Sequence, residues 1–131
     1  MEHPALPTET LVTASDLSFA LQVTTDGSLK IERRFPGVDP ESIELTEDEA
    51  SIIAAVLPHA KATTEIKGPT TSISIYTAPG KMRCLKYRYL AEREVMSVMS
   101  ETDAAKLASA IAGMGPAIRE LNQAFNENMG F

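Results

Sequence analysis

Cations and aromatic rings crowded onto the same short segments are the residues of this sequence most suited to chemistry. Seven of its 12 basic residues (Lys30, Arg33, Arg34, Lys81, Arg83, Lys86 and Arg88) fall in two stretches, and Phe35, Tyr76, Tyr87 and Tyr89 fall in or beside them. Cations meet phosphates and rings stack on unpaired bases, so this mixture suits single-stranded nucleic acid. The net charge of -6 works against it, because an acidic chain is not drawn to nucleic acid as a whole. The positive charge must therefore gather on one face, and Glu32, between Lys30 and Arg34, interrupts that face. A plainer reading stays open. Strands alternate faces, so Lys86 and Arg88 also fit an ordinary solvated surface, while Leu85, Tyr87 and Tyr89 share a parity that fits a core.

Other chemistries lack their residues. Gly37, Gly68 and Gly80 are isolated and form no phosphate-cradling loop. His3 and His59 have no second ligand at metal-binding spacing. Cys84 has no histidine beside it and reads as a buried thiol rather than a nucleophile. Glu47-Asp48-Glu49 is what a helix start attracts through its dipole. The reading is a protein that is not an enzyme, with no cofactor and no metal. One cysteine excludes an intramolecular disulfide and fits a reducing, cytoplasmic setting. No apolar run reaches bilayer length, so no membrane role is expected. Phe131, an aromatic at the end of the sequence, is a candidate docking point for a protein partner.

The elements that must position these residues follow from periodicity and turn chemistry. Leu17 to Val23 alternates, Thr25-Asp26-Gly27-Ser28 is a hairpin signal, and Leu29 to Phe35 returns. Pro36, Gly37 and Pro40 mark a loop before a short strand, Ser42 to Leu45. Thr46 with Glu49 three residues on forms a capping box, and the helix it opens ends before Pro58. After a loop over 58–70 the order recurs: Thr71 to Thr77, the turn Ala78-Pro79-Gly80-Lys81, Met82 to Leu90, and Val95 to Met99. A helix capped by Ser100 and Asp103 follows. Gly113 and Gly115 are expected to stop it, and Pro116 to open a separate last helix reaching Asn128.

Sliding the sequence by 54 residues (Leu21 onto Ile75) lays the apolar pattern, turns and helix starts on one another. The expected fold class is therefore α+β: a tandem β-β-β-α repeat with antiparallel sheets, helices packed on or between them, and an extra C-terminal helix. Residues 1–14 read as a flexible, Pro-containing lead-in without signal-peptide character, 15–60 as the first unit, and 70–128 as the second unit plus the last helix. A unit of this size rarely folds alone, so the two are expected to form one compact domain.

Leu29-Lys30-Ile31-Glu32-Arg33-Arg34-Phe35 followed by Ser42-Ile43-Glu44-Leu45-Thr46-Glu47 resembles the PC4-like transcriptional coactivator family. The tandem arrangement is similar to the whirly group. The resemblance implies binding of single-stranded DNA or RNA on sheet surfaces, with Lys30, Arg34, Lys86 and Arg88 as contacts. The sequence departs from the family's pattern at Asp39-Pro40-Glu41, where that family has lysines and a glycine before the third strand.

The function expected on these grounds is a single-stranded nucleic-acid-binding accessory protein of replication, recombination or transcription, of phage or bacterial type. Its candidate contacts are Lys30, Arg34, Lys81, Arg83, Lys86, Arg88, Tyr76, Tyr87 and Tyr89. An acidic protein-interaction module that regulates or inhibits a host factor is the alternative. A homo-oligomeric assembly subunit, joined by the last helix or by open sheet edges, is a third reading.

Overall fold

The computed structural model describes residues 8–12, 17–59 and 63–128. Two four-stranded antiparallel sheets are each followed by a helix. The first contains β1 (Thr8–Val12), β2 (Ser18–Val23), β3 (Leu29–Phe35) and β4 (Val38–Leu45), in that spatial order, and leads into α1 (Glu47–Val56). A 3-10 turn, Leu57–His59, ends that helix. The second contains β5 (Thr64–Lys67), β6 (Thr71–Ala78), β7 (Met82–Tyr89) and β8 (Val95–Met99), and leads into α2 (Glu101–Asn128).

The tandem α+β architecture is present, and its inner pairings repeat in register. Leu21 pairs with Ile31 and Leu29 with Leu45; the same shift carries these onto Ile75 with Leu85 and Arg83 with Met99. The units are nevertheless β-β-β-β-α rather than β-β-β-α. Thr8–Val12, expected within the flexible lead-in, pairs with β2, and Thr64–Lys67, expected within a loop, pairs with β6. Both are short outer strands fixed by a neighbour's backbone more than by their own pattern. β4 also starts earlier than expected and takes in Pro40, which an outer strand tolerates because one side of its backbone lies outside the ladder.

The expected break between two C-terminal helices is absent: α2 runs through Gly113, Gly115 and Pro116. Its apolar stripe explains this. Leu107, Ile111, Met114 and Ile118 are buried at i, i+3/i+4 spacing across the expected break. Burying such side chains contributes about 1.5–3 kcal/mol each. Together they outweigh an interior proline at about 3 kcal/mol and two glycines at about 1 kcal/mol each.

Both expected helix starts are present. Thr46 Oγ1 accepts from the Glu49 N–H at 3.2 Å, and Glu49 Oε1 accepts from the Thr46 N–H at 2.9 Å. Ser100 Oγ accepts from the Asp103 N–H at 3.1 Å. Inward residues from both units, among them Phe19, Leu21, Ile31, Leu45, Ile53, Ile73, Ile75, Leu85, Met99 and Leu107, form one continuous core. The β2–β3 tip also meets the far end of α2: a Cβ on Gly27, whose φ is +83°, would lie 2.4 Å from Asn122 Cα.

Candidate nucleic-acid interface

Register settles which side chains share a face. On the outer side of the second sheet, Tyr76, Cys84 and Val98 make one row across β6, β7 and β8. Glu65, Ser74, Lys86 and Met96 make the next, and Lys67, Ser72 and Arg88 the third. The Tyr76 ring does not stand upright on its strand. Lys86 Nζ lies 5.2 Å from the ring centroid, and the hydroxyl donates across β7 to Met96 Sδ at 3.9 Å. The ring thus leans from β6 over β7 toward β8. This explains why Cys84, at an outward position, is buried.

The thiol interaction with Cys84 chiefly holds the Tyr76 hydroxyl above its ordinary pKa, with desolvation adding to this and Lys86 pulling the other way. Lys86 is held more basic than usual, first by the Tyr76 hydroxyl and then by the charges of Tyr76 and Glu94. It therefore stays an ammonium throughout the neutral range. Arg88 is exposed, and its Nε donates to the Glu92 carbonyl at 3.2 Å.

The other expected contacts divide among different places. Lys30 and Arg34 lie on the outer face of the first sheet, where carboxylates answer them: Lys30 is opposite Glu44, and Arg34 Nε donates to Glu32 Oε1 at 2.6 Å. Lys81 sits in the β6–β7 turn, exposed, with a φ of 61°. Arg83 and Tyr87 are placed inside the protein rather than on its surface, because their parity is that of Leu85. Arg83 Nη2 lies 3.3 Å from Glu101 Oε1, and Nη1 donates to Thr77 Oγ1 at 3.3 Å. Tyr87 donates its hydroxyl to the Glu44 carbonyl of the first sheet at 2.9 Å. Burial pushes its pKa up. Phe131 and His3 lie outside the described residues.

Tyr89 shares that inward parity but sits at the strand end, 41% exposed, and lines a groove of about 780 Å³ between β4 and the second sheet. Lys30, Lys67 and Arg93 line it too, together with Glu44, Asp48 and Glu92. Its charge is therefore mixed. Thr71 donates from Oγ1 to Glu49 Oε2 at 2.7 Å across this boundary. Glu41 takes Arg33 at 3.6 Å and Arg93 at 3.7 Å.

Among the described residues, the outer face of the second sheet is thus where a ring and cations converge with no carboxylate in salt-bridge contact with Lys67, Lys86 or Arg88. Sequence reasoning missed Lys67, Met96 and Val98 as members of it. The alternation Thr64-Glu65-Ile66-Lys67 before Gly68-Pro69 was the available signal for β5. Among the described residues no group of three or more His, Cys, Asp or Glu is placed to hold a metal ion. No helix among them is long and apolar enough to cross a membrane.

No protein-family model and no curated protein matches the sequence. Solved structures do match its shape. A guide-RNA-binding protein complex bound to a gRNA aligns at a TM-score of 0.53 and 16% identity, over 98% of this chain and 95% of that one. Trypanosoma brucei MRP1/MRP2 aligns at 0.53 and 16%, over 98% and 89%. WHY1 from Arabidopsis thaliana aligns at 0.55 and 11%, over 99% and 94%. The chain therefore shares their fold over nearly its whole length, in keeping with the tandem whirly-like arrangement read from the sequence.

Proposed function

We propose that this chain binds single-stranded nucleic acid on the outer face of its second sheet and performs no bond chemistry there. The observation that carries this reading is the Tyr76–Lys86 pair. One side of a surface ring is backed by an ammonium, in a row that continues to exposed Met96. A base stacks on such a ring only when it is unpaired, which selects single strands over duplex. Lys86, Arg88 and Lys67 meet the phosphates on either side. The shared fold supports the reading, since one of the matching structures is a guide-RNA-binding complex bound to its RNA.

On an acidic protein this footprint is short. Three phosphate contacts on a single strand correspond to a log–log salt slope of about -2. The test is fluorescence anisotropy of labelled oligothymidine and oligouridine at two salt concentrations, with wild type and the double variant Lys86→Glu, Arg88→Glu. Losing and reversing two of three cations should weaken low-salt binding by at least about tenfold and flatten the slope. No binding by wild type at low salt, or equal binding by the variant, rules the mechanism out and leaves the acidic protein-interaction reading.

A further inference from the structure

β8 differs from the other outer strands. It lies at the end of its sheet, with β7 on one side and no strand hydrogen-bonded on the other among the described residues. Sheets guard such edges with charge, proline or brevity, because unpaired backbone groups recruit another strand. β4 contains Asp39, Pro40, Glu41 and Glu44, and β5 has only four residues, with Glu65 and Lys67 among them. β1 contains Glu9. β8 reads Val95-Met96-Ser97-Val98-Met99, without a charge or a proline, and leaves Met96 45% and Val98 41% exposed.

We infer that β8 is the seam at which a second copy of this chain joins the first, antiparallel about Ser97, to make one continuous eight-stranded sheet. The strand is its own complement in that register. Met96 falls opposite Val98 of the second copy on the outer face, and Val95 opposite Met99 on the inner face, so apolar meets apolar on both. Carrying the register past the strand sets Glu94 against Ser100 and brings Arg93 toward Glu101, so no like charges meet. Such a contact is isologous and closes at two copies, which an edge left this apolar requires if it is not to build fibres. Backbone hydrogen bonds would supply much of the affinity and the paired side chains the register. One consequence rests on the nucleic-acid reading: the two outer faces would become a single platform, with Tyr76 and Lys86 of each copy flanking a central apolar strip.

Light scattering coupled to size exclusion, without nucleic acid and over a wide concentration range, tests the seam. Wild type should rise from 14.1 kDa toward twice that mass. Met96→Lys with Val98→Lys should stay at the monomer mass, because lysine then opposes lysine twice. Met96→Lys with Val98→Glu should recover the dimer, because each new cation then faces a new carboxylate. Both positions are exposed, and circular dichroism checks that the fold is kept. A wild type that stays monomeric, a double-lysine variant that still dimerises, or a mixed variant that does not recover each overturns the inference. A dimer without oligonucleotide affinity would sink only the function proposed above, and a monomer that binds oligonucleotide would sink only the seam.

Discussion

Replacing Tyr76 by alanine separates stacking from charge on the second sheet. Stacking of one base on an aromatic side chain contributes about 1–3 kcal/mol, so Tyr76→Ala should raise Kd by roughly 5- to 150-fold. Tyr76→Phe keeps the ring and loses only the hydroxyl's contacts, of which the one to Met96 Sδ is a weak 3.9 Å interaction. It should bind within about twofold of wild type, since a thioether is a weak acceptor. Lys86→Gln removes a phosphate contact and should lower the salt slope by about 0.7, whereas Tyr76→Ala should leave the slope unchanged. Because Lys86 Nζ sits 5.2 Å from the ring centroid, the two changes are not independent. A cation–π contact at an exposed site is worth about 0.5–1 kcal/mol, and a double-mutant cycle on oligothymidine anisotropy should return a coupling of that size. The same ring covers Cys84, so a thiol reagent should label Tyr76→Ala faster than wild type. That readout needs no nucleic acid. Wild-type affinity in Tyr76→Ala, or an equal loss in Tyr76→Phe, would refute the stacking argument. Unchanged labelling would refute the placement of the ring.

The interior residues give the complementary expectations. Arg83→Met removes the contacts to Glu101 and Thr77 and should lower stability by about 1–3 kcal/mol, read as the urea midpoint, while oligonucleotide affinity of the folded protein stays at the wild-type value. A loss of affinity without a loss of stability would show that Arg83 is not held inside. Tyr87→Phe removes the hydrogen bond to Glu44 and should cost about 1 kcal/mol at neutral pH. It should also change the alkaline limb. The folded-state pKa of Tyr87 is raised above 10.0, so the native state holds its proton longer than the unfolded chain does. Its contribution is present in full below pH 10 and is lost as pH rises through the raised value. Tyr76, raised as well, accounts for part of the same limb. Wild type should therefore lose thermal stability above pH 10 more steeply than Tyr87→Phe, and parallel curves would contradict the burial argument.

Local chemistry made much of this legible beforehand. Alternation located β2, β3, β6 and β7, and the caps at Thr46 and Ser100 located both helix starts. Elements held from outside were harder to read. β1 and β5 exist because β2 and β6 offer them an edge, and α2 crosses Pro116 because Ile111, Met114 and Ile118 are needed in the core on both sides of the expected break. Within the site, parity alone would have turned Tyr87 inward. Arg83 shares that parity, yet an arginine is seldom buried unless something pairs with it. What pairs with it is Glu101, the first residue of α2, a contact that exists only once β8 has delivered the helix there. Lys86 and Tyr76 come together because β6 and β7 pair in one register, with Ser74 opposite Lys86 and Tyr76 one row away.

The unbroken second helix is about 42 Å long at 1.5 Å per residue, and it is fastened at both ends. Its first residue grips Arg83 in one sheet, and its last turns seat against the Gly27 hairpin tip of the other, too tightly for any side chain at that glycine. It works as a strut. Swinging one sheet about the other would have to prise that tip loose, so a strand bound as proposed would meet a face held in a set relation to the rest of the protein.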